Sequence, residues 1–205
     1  MSDVTNPKRG RPGYNHAAIL EIAVLAFNEY GYDATSMGVL ASRLSLSKAA
    51  IYHHFASKEE LLKLALDHAL DGLEDVITQP GATTGAAIDR VAHVLRGAVL
   101  ILADRLPYVT LLLRVRGNTE VERNALERRR AFDRAVATLV TTARDEGSLR
   151  ADLDAGVVTR LLFGMVNSIA EWYQPNGPAD AAQLANDVLT VALDGLRARD
   201  SRFGG

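Results

Sequence analysis

A chain of 205 residues can form one compact unit or a small domain followed by a larger one, and its 48% hydrophobic and 23% charged residues favour a folded protein with a sizeable core. The sequence contains no cysteine, which excludes disulfides, thiolate nucleophiles and thiolate metal sites, and it has no apolar stretch of membrane-spanning length. We therefore expect a cytoplasmic protein with no membrane partner, whose net charge of -2 does not by itself indicate nucleic-acid binding.

The first sixty residues carry the pattern of three short helices. Apolar residues at spacings of three and four predict a first amphipathic helix, which begins near Tyr14 and ends at Gly31. Thr35 and Ser36 offer an N-cap for a second helix, and Ser47 offers one for a third. The second helix is expected to direct three side chains into the core: Val39, Leu40 and Leu44.

A fourth helix and a linker follow. Ser57 and Glu60 have the spacing of a capping box, and the apolar residues of the helix continue to Ile77. Gly, Pro and Thr residues between Gln79 and Gly85 predict a linker.

Five more helices are predicted beyond this linker, at 86–102, 108–116, 119–146, 155–173 and from about 178 to Arg199. The first of these is apolar on almost every side, which predicts a helix that is buried all round. Pro107 is expected to interrupt the chain before the second. No stretch has the alternation of a strand, so the sequence predicts an all-α protein with about nine helices.

The second and third helices have the pattern of a helix-turn-helix. They are joined by the short turn from Leu44 to Ser47, and Ile51 and Phe55 would face the core. Small, basic and aromatic groups suited to base edges and phosphates then face outward: Ser47, Lys48, Ala49, Tyr52 and His53. Lys58 lies beside unpaired backbone N–H groups at the start of the next helix and can add a phosphate contact.

The stretch from Ile19 to Leu66 resembles the DNA-binding domain of the TetR family. The resemblance rests on a run of fixed spacings: Ala26-Phe27, Gly31-Tyr32, Thr35-Ser36, Leu40-Ala41, Ser47-Lys48, Ile51-Tyr52-His53-His54-Phe55 and Ser57-Lys58-Glu59-Glu60-Leu61-Leu62. It implies a dimeric repressor without a cofactor, which holds double-stranded operator DNA and releases it when a small-molecule effector enters an all-helical C-terminal domain.

The same resemblance implies roles for individual residues. Thr35 and Ser36 would contact the DNA backbone, Lys58 would anchor a phosphate, and the outward residues of the third helix would form the recognition surface. The sequence departs from the family pattern at two positions, because Ser45 stands where a turn glycine is usual and Gly38 lies inside the second helix. A serine in a left-handed turn is strained unless the turn is of another type.

The resulting domain organisation has three parts: a flexible basic arm at 1–13, a helix-turn-helix domain at 14–60, and a ligand-binding and dimerisation domain at 61–205. Arg9 and Arg11 of the arm have the spacing to follow a narrow A·T-rich minor groove. The alternative is a solvated chain terminus, and the sequence does not decide between them.

Two helices near the C-terminus are candidates for a dimer interface. Their apolar residues are Leu161, Leu162, Met165, Val166 and Ile169, then Val188, Leu189, Ala192, Leu193 and Leu196. Gly164 and Gly195 would permit close approach of a partner. The alternative is that all of these residues pack within one subunit.

The candidate ligand-binding residues are Tyr108, Arg114, Arg116, Phe163, Asn167, Trp172 and Tyr173. Together they would suit an apolar body with an anionic head. The segments 114–120 and 167–175 also resemble regulators that respond to acyl-CoA thioesters. Alternatively, Trp172 and Tyr173 fill the core. The charged run that contains Arg123, Arg128, Arg129, Arg130 and Arg134 is expected to be a solvated helix face.

The sequence has no pattern typical of an enzyme: no Gly-x-Ser-x-Gly turn, no glycine-rich phosphate loop and no His-Glu-x-x-His pair. We therefore expect no catalytic activity and no metal site. Two alternatives remain, a helical binding or scaffolding protein without DNA affinity, and a helical enzyme with an unrecognised site. Salt-dependent DNA binding would exclude the first, and absence of substrate turnover would exclude the second.

Overall fold

The computed structural model describes residues 15–196, which contain ten α-helices, one 3-10 turn and no β-strand. In chain order these are α1 (His16–Tyr30), α2 (Met37–Leu44), α3 (Lys48–Tyr52), α4 (Lys58–Thr78), α5 (Pro80–Thr83), α6 (Ala87–Asp104), α7 (Leu106–Arg114), α8 (Glu120–Asp145), α9 (Ala155–Ser168), the 3-10 turn Ile169–Glu171, and α10 (Ala181–Leu196). The all-α prediction is confirmed. No helix between residues 15 and 196 has the length and apolar character needed to cross a membrane.

Contacts divide the chain into two compact units between Leu61 and Leu62. In the first unit α1 packs on α2 and α2 packs on α3, around a core of large buried side chains that includes Phe27, Leu40, Ile51 and Phe55.

Each of the first three helices begins at a side-chain cap. Asn15, Ser36 and Ser47 accept the backbone N–H three residues later, at 2.8, 3.2 and 3.1 Å respectively. Each bond satisfies one of the N–H groups that a helix start leaves unpaired, which contributes about 1 kcal/mol to stability. Such local bonds explain why helices as short as α2 and α3 form.

The predicted cap by Ser57 is confirmed, the return bond of Glu60 goes to the residue before the cap, and the predicted linker is in part helical. Ser57 accepts the N–H of Glu60 at 3.0 Å, and the Glu60 carboxylate accepts the N–H of Ala56 at 2.6 Å, which starts α4. The segment 79–85 contains the one-turn helix α5, because Pro80 at its start needs no N–H partner there. Helix α5 accounts for the difference between the nine helices predicted and the ten observed in the described residues.

Two predicted burial patterns are wrong. Val39 is 37% exposed, because the buried stripe of α2 consists of Met37, Leu40, Ala41 and Leu44, and position 39 lies to one side of it. Helix α6 is not buried all round, since Leu100 is exposed. Its broad apolar face is nevertheless central to the second unit, where α6 packs against α5, α7, α8, α9 and α10.

Three predicted helix boundaries also differ from the structure. Pro107 does not interrupt the chain but lies in the first turn of α7, which ends at Arg114 rather than at Arg116. The helix predicted to reach Tyr173 ends at Ser168 and continues as a 3-10 turn. The predicted end of the last helix near Arg199 lies outside the described residues.

Candidate DNA-binding surface and ligand-binding region

Helix α3 is held from one side and exposed on the other. Ile51 and Phe55 are buried, as predicted. The five residues predicted to face outward are all exposed, and Tyr52 keeps 51% of its surface: Ser47, Lys48, Ala49, Tyr52 and His53. A short helix with hydroxyl, ammonium, phenol and imidazole groups on one exposed side can hydrogen-bond both base edges and phosphates.

Ser45 gives the turn before α3 its shape. Its φ of 54° and ψ of 37° are left-handed, and no other non-glycine residue among the described residues has a positive φ. The N–H groups of Ser45 and Leu46 close the end of α2 by bonding to Ser42 at 3.1 Å and Ala41 at 2.9 Å. The turn is therefore the left-handed type that glycine usually forms. The Ser45 backbone adopts this conformation although it is strained for a residue with a side chain.

Gly38 makes room for Lys48. A Cβ at position 38 would lie 2.9 Å from Cε of Lys48, which is closer than real side chains approach. The lysine stem therefore crosses α2 at the one residue that has no side chain. Because Cε is near the end of a flexible, exposed side chain, a larger residue at position 38 would displace Lys48 at little cost, so the structure does not require a glycine there.

The two residues before α2 have different environments. Ser36 is the exposed N-cap, as its predicted backbone contact requires. Thr35 is fully buried, and its hydroxyl donates to the carbonyl of Gly31 at 2.7 Å. The structure therefore corrects the prediction for Thr35, because a buried hydroxyl bonded to the chain has no surface to offer to DNA. Its role is to hold the α1–α2 loop.

Lys58 is engaged within the first unit. Its ammonium donates to the carbonyl of Tyr32 at 2.8 Å and lies 4.1 Å from the centroid of the Tyr32 ring. An ammonium has three N–H donors, so this contact leaves room for a phosphate. The other two predicted basic contacts, Arg9 and Arg11, lie outside the described residues.

The predicted ligand-binding residues occupy several environments. The ring of Tyr108 lies 4.5 Å from that of His68, and the ring of Phe163 lies 5.3 Å from that of Phe132. Tyr173 is buried, as the core alternative predicts. The other residues range from half-buried to exposed: Asn167 is half-buried, and Arg114, Arg116 and Trp172 are exposed. Trp172 therefore does not fill the core.

Glu122 fixes a loop and was not predicted from its sequence pattern. This buried carboxylate accepts three backbone N–H groups, from Arg116 at 3.3 Å, Gly117 at 2.8 Å and Asn118 at 2.6 Å. The N-cap Thr119 in turn accepts the N–H of Glu122 at 3.1 Å. The loop between α7 and α8 is thereby fixed. The Thr-x-x-Glu spacing of a capping box could have indicated it.

The prediction that Arg128 lies on a solvated helix face is wrong. Arg128 is part-buried and binds three carboxylates of α4: Asp67 at 2.8 Å, Asp71 at 2.6 Å, and both oxygens of Glu74 at 2.8 and 2.7 Å. The bonds to Glu74 first, and then to Asp71, raise the pKa of the guanidinium against the effect of desolvation, which lowers it. Arg128 therefore does not belong to a solvated helix face but fixes α8 to α4.

An apolar surface lies on α9 and α10. Leu161 is 68% exposed and Val191 is 70% exposed, and a groove of about 180 Å³ between the two helices is lined by Leu161, Met165 and Ala192 among others. A Cβ added at Gly164 would meet no other atom within 4 Å. Other members of the predicted interface are buried within the subunit, as the alternative predicts: Leu162, Val166, Ile169, Val188, Ala192 and Leu193.

Two family models match the chain. One, described as "Bacterial regulatory proteins, tetR family", matches residues 19–65. The other, described as "Tetracyclin repressor-like, C-terminal domain", matches residues 84–196. The matches include both the helix-turn-helix and the helices α6 to α10.

Individual proteins are similar over most of their length. The HTH-type transcriptional repressor KstR2 of Mycobacterium tuberculosis is 26% identical over 197 residues, which are 91% of this chain and 95% of KstR2. The crystal structure of SCO3833, a TetR regulator from Streptomyces coelicolor A3, is 47% identical with a TM-score of 0.83, over 88% of this chain and 91% of that one.

The structure of AibR in complex with isovaleryl coenzyme A and operator DNA is 24% identical with a TM-score of 0.74, over 87% of this chain and 97% of that one. That likeness concerns the fold alone. The family models, by contrast, match the helix-turn-helix formed by α2 and α3, and together they match more than half of the chain. The chain therefore belongs to the TetR family of DNA-binding transcriptional regulators.

Proposed function

We propose that the chain is a homodimeric repressor that binds double-stranded operator DNA through α3 and releases it when a small-molecule effector binds the C-terminal helices. The observation that carries this proposal is the exposed side of α3, which is anchored from behind by Ile51 and Phe55. In the proposed complex the major groove is read by Ser47, Lys48, Ala49, Tyr52 and His53. Ser36 and Lys58 would hold the phosphates on either side.

A dimer is part of the proposal because α3 is only five residues long and reads too few bases alone. The exposed apolar surface of α9 and α10 supplies the interface, and its most exposed side chains are Leu161 and Val191. Covering such side chains with a second copy removes apolar area from water at about 25 cal/mol per Å². A two-fold pairing would then place two α3 helices on two half-sites.

Effector binding has to reach α3 through α4. That helix is continuous from Lys58, in the first unit, to Thr78, in the second. Arg128 ties the second part of α4 to α8 through three carboxylates. We propose that an effector which displaces α8 also displaces α4, with a coupling free energy of about 1–3 kcal/mol.

For the effector we propose an acyl coenzyme A thioester, in keeping with the resemblance of segments 114–120 and 167–175. AibR binds such a thioester, but its likeness to this chain concerns the fold. The proposal therefore depends on this chain's own residues. Exposed cationic groups such as Arg114 and Arg116 suit the phosphates, and apolar side chains such as Phe163 suit the acyl group.

The test is a fluorescence-anisotropy titration of the full chain against its own upstream intergenic DNA at two salt concentrations. A scrambled duplex of equal length is the control. We expect tight binding to the native duplex that weakens steeply with salt, and release by one of a panel of acyl coenzyme A thioesters. Equal affinity for both duplexes would contradict operator recognition. Binding that no thioester relieves would contradict the effector class.

A further inference from the structure

A groove of about 300 Å³ runs between α8 and α9. Helix α8 contributes Arg130, Asp133 and Arg134, and α9 contributes Gly156, Thr159 and Arg160. Its volume is at the lower end of the range for small-molecule sites. Three arginines and one aspartate therefore line a single groove, in a part of the chain that the proposed DNA contacts do not use.

The three arginines of this groove are not neutralised within the subunit. No carboxylate oxygen among residues 15–196 lies within 4.0 Å of the guanidinium nitrogens of Arg130, Arg134 or Arg160, and the same residues offer them no hydrogen-bond acceptor. Arg128, two residues before Arg130, is by contrast bonded to three carboxylates. Three like charges at one opening repel one another unless an anion lies between them.

Asp133 is a weak counter-charge for them. Burial raises its pKa above the ordinary value, and this effect exceeds the opposing influence of Arg129 and Arg134. Its single negative charge offsets only one of the three guanidinium charges. The groove therefore keeps an excess of positive charge at neutral pH.

The number and placement of the guanidinium groups indicate the chemistry of the anion. Each guanidinium presents a planar fork that pairs with two oxygens of a carboxylate or phosphate. One carboxylate would occupy one fork, whereas two linked phosphates can engage forks on both helices. The groove residues without a bulky side chain are Gly156 on α9 and Ala137 on α8.

We infer that the groove between α8 and α9 binds the diphosphate group of an organic anion. This inference rests on the proposed function and deepens it, because it names the polar end of the effector and adds Arg130, Arg134 and Arg160 to the anion contacts proposed for Arg114 and Arg116. Coenzyme A and free nucleotides both carry a diphosphate. Two neighbouring residues of α9 would then have different roles. Arg160 would bind the anion, and Leu161 would belong to the apolar dimer surface.

Isothermal titration calorimetry of the full chain without DNA tests this inference. The probes are inorganic pyrophosphate, ADP and coenzyme A, each at two salt concentrations. The test variant is Arg134→Gln with Arg160→Gln, and the matched control is Arg144→Gln, an arginine of α8 that bonds to Asp145 outside the groove. Because no DNA is present, failure of this test is separate from failure of operator binding.

We expect salt-sensitive binding of all three probes, weakened about tenfold or more in the double variant and unchanged in the control. Asp133→Asn should tighten binding about two- to fivefold, since it removes the negative charge from the groove. Coenzyme A binding more tightly than ADP would identify the thioester source, and equal binding would identify a nucleotide. No binding of any probe, or equal loss in the control variant, would overturn the inference.

Discussion

The two compact units hold their functional side chains over different distances along the chain. In the first, Ser36 and Ser47 bond to groups three residues away, so that the surface of α3 is shaped locally. In the second, Arg128 reaches carboxylates 54 to 61 residues earlier in the sequence. A locally capped motif keeps its geometry when other parts move, whereas a surface assembled from separate helices changes when they shift. The first arrangement suits reading and the second suits regulation.

The largest expected effect on operator binding comes from a substitution in the second unit, which does not contain α3. Leu161→Glu places a charge on the exposed apolar surface of α9, where it costs the monomer little because Leu161 is already 68% exposed. We expect a monomer by analytical ultracentrifugation. We also expect operator affinity to fall about a hundredfold or more, because the two half-sites no longer bind together.

Leu100→Glu is the matched control, an exposed leucine of the same unit that lies outside the α9–α10 groove. It should leave both the dimer and the operator affinity unchanged. A Leu161→Glu variant that remains a dimer would place the interface elsewhere.

The next largest effect is a loss of operator affinity caused by a substitution within the first unit. Tyr52→Ala removes a half-exposed phenol from α3 without opening the core. Operator affinity measured by anisotropy should fall about ten- to hundredfold, while the melting temperature and the dimer stay the same. Tyr30→Ala, at the equally exposed end of α1, should not change affinity. Equal losses in the two variants would contradict recognition by α3.

A smaller effect concerns the long-range bonds of the second unit. Arg128→Met keeps an unbranched apolar stem but removes the guanidinium, which leaves three carboxylates of α4 without their cation. Since these groups are part-exposed, we expect a loss of about 1–3 kcal/mol in the free energy of unfolding, measured by urea denaturation, and a smaller loss at high salt.

Arg130→Met, two residues further along α8, should leave the free energy of unfolding unchanged or raise it slightly, because no carboxylate among the described residues pairs with it. If both variants lost the same free energy, the three-carboxylate cluster would not be the source of the stability.

The same contrast explains what could be predicted from the sequence. The outward residues of α3 follow from helical spacing and from the cap at Ser47, which are both local signals. The burial of Thr35 and the passage of Lys48 over Gly38 could not be predicted, because they depend on how α1, α2 and α3 pack. Local rules therefore predict which residues are presented by a capped helix but not which residues support it.

In the second unit most helices could be predicted, but their partners could not. The acidic spacing of Asp67, Asp71 and Glu74 marks one face of a helix, yet nothing local assigns Arg128 to it. The presence of Arg134 and Arg160 in one groove likewise depends on the packing of α8 against α9. Glu122 is the exception, since its position three residues after Thr119 is a local signal.

The smallest expected effect tests the charge of the α8–α9 groove through pH. Burial raises the pKa of Asp133 above its ordinary value of 3.8 more than Arg129 and Arg134 lower it. A carboxyl with a higher pKa in the folded chain favours folding below its unfolded pKa, and this contribution is lost as pH rises through the folded pKa. At neutral pH the ionised Asp133 carboxylate therefore lowers the stability of the folded chain. Asp133→Asn removes this unfavourable contribution, because asparagine carries no charge.

The melting temperature of Asp133→Asn should therefore exceed that of the parent chain at pH 7, and the difference should shrink as the pH falls toward 4. Scanning calorimetry over this range measures both. Asp152→Asn is the matched control with the opposite sign, because its bond to Arg150 lowers the pKa of Asp152. That variant should melt slightly lower than the parent at pH 7. If Asp133→Asn also melted lower, the attraction between Asp133 and its neighbouring arginines would exceed the cost of burying its carboxylate, contrary to the direction of its pKa.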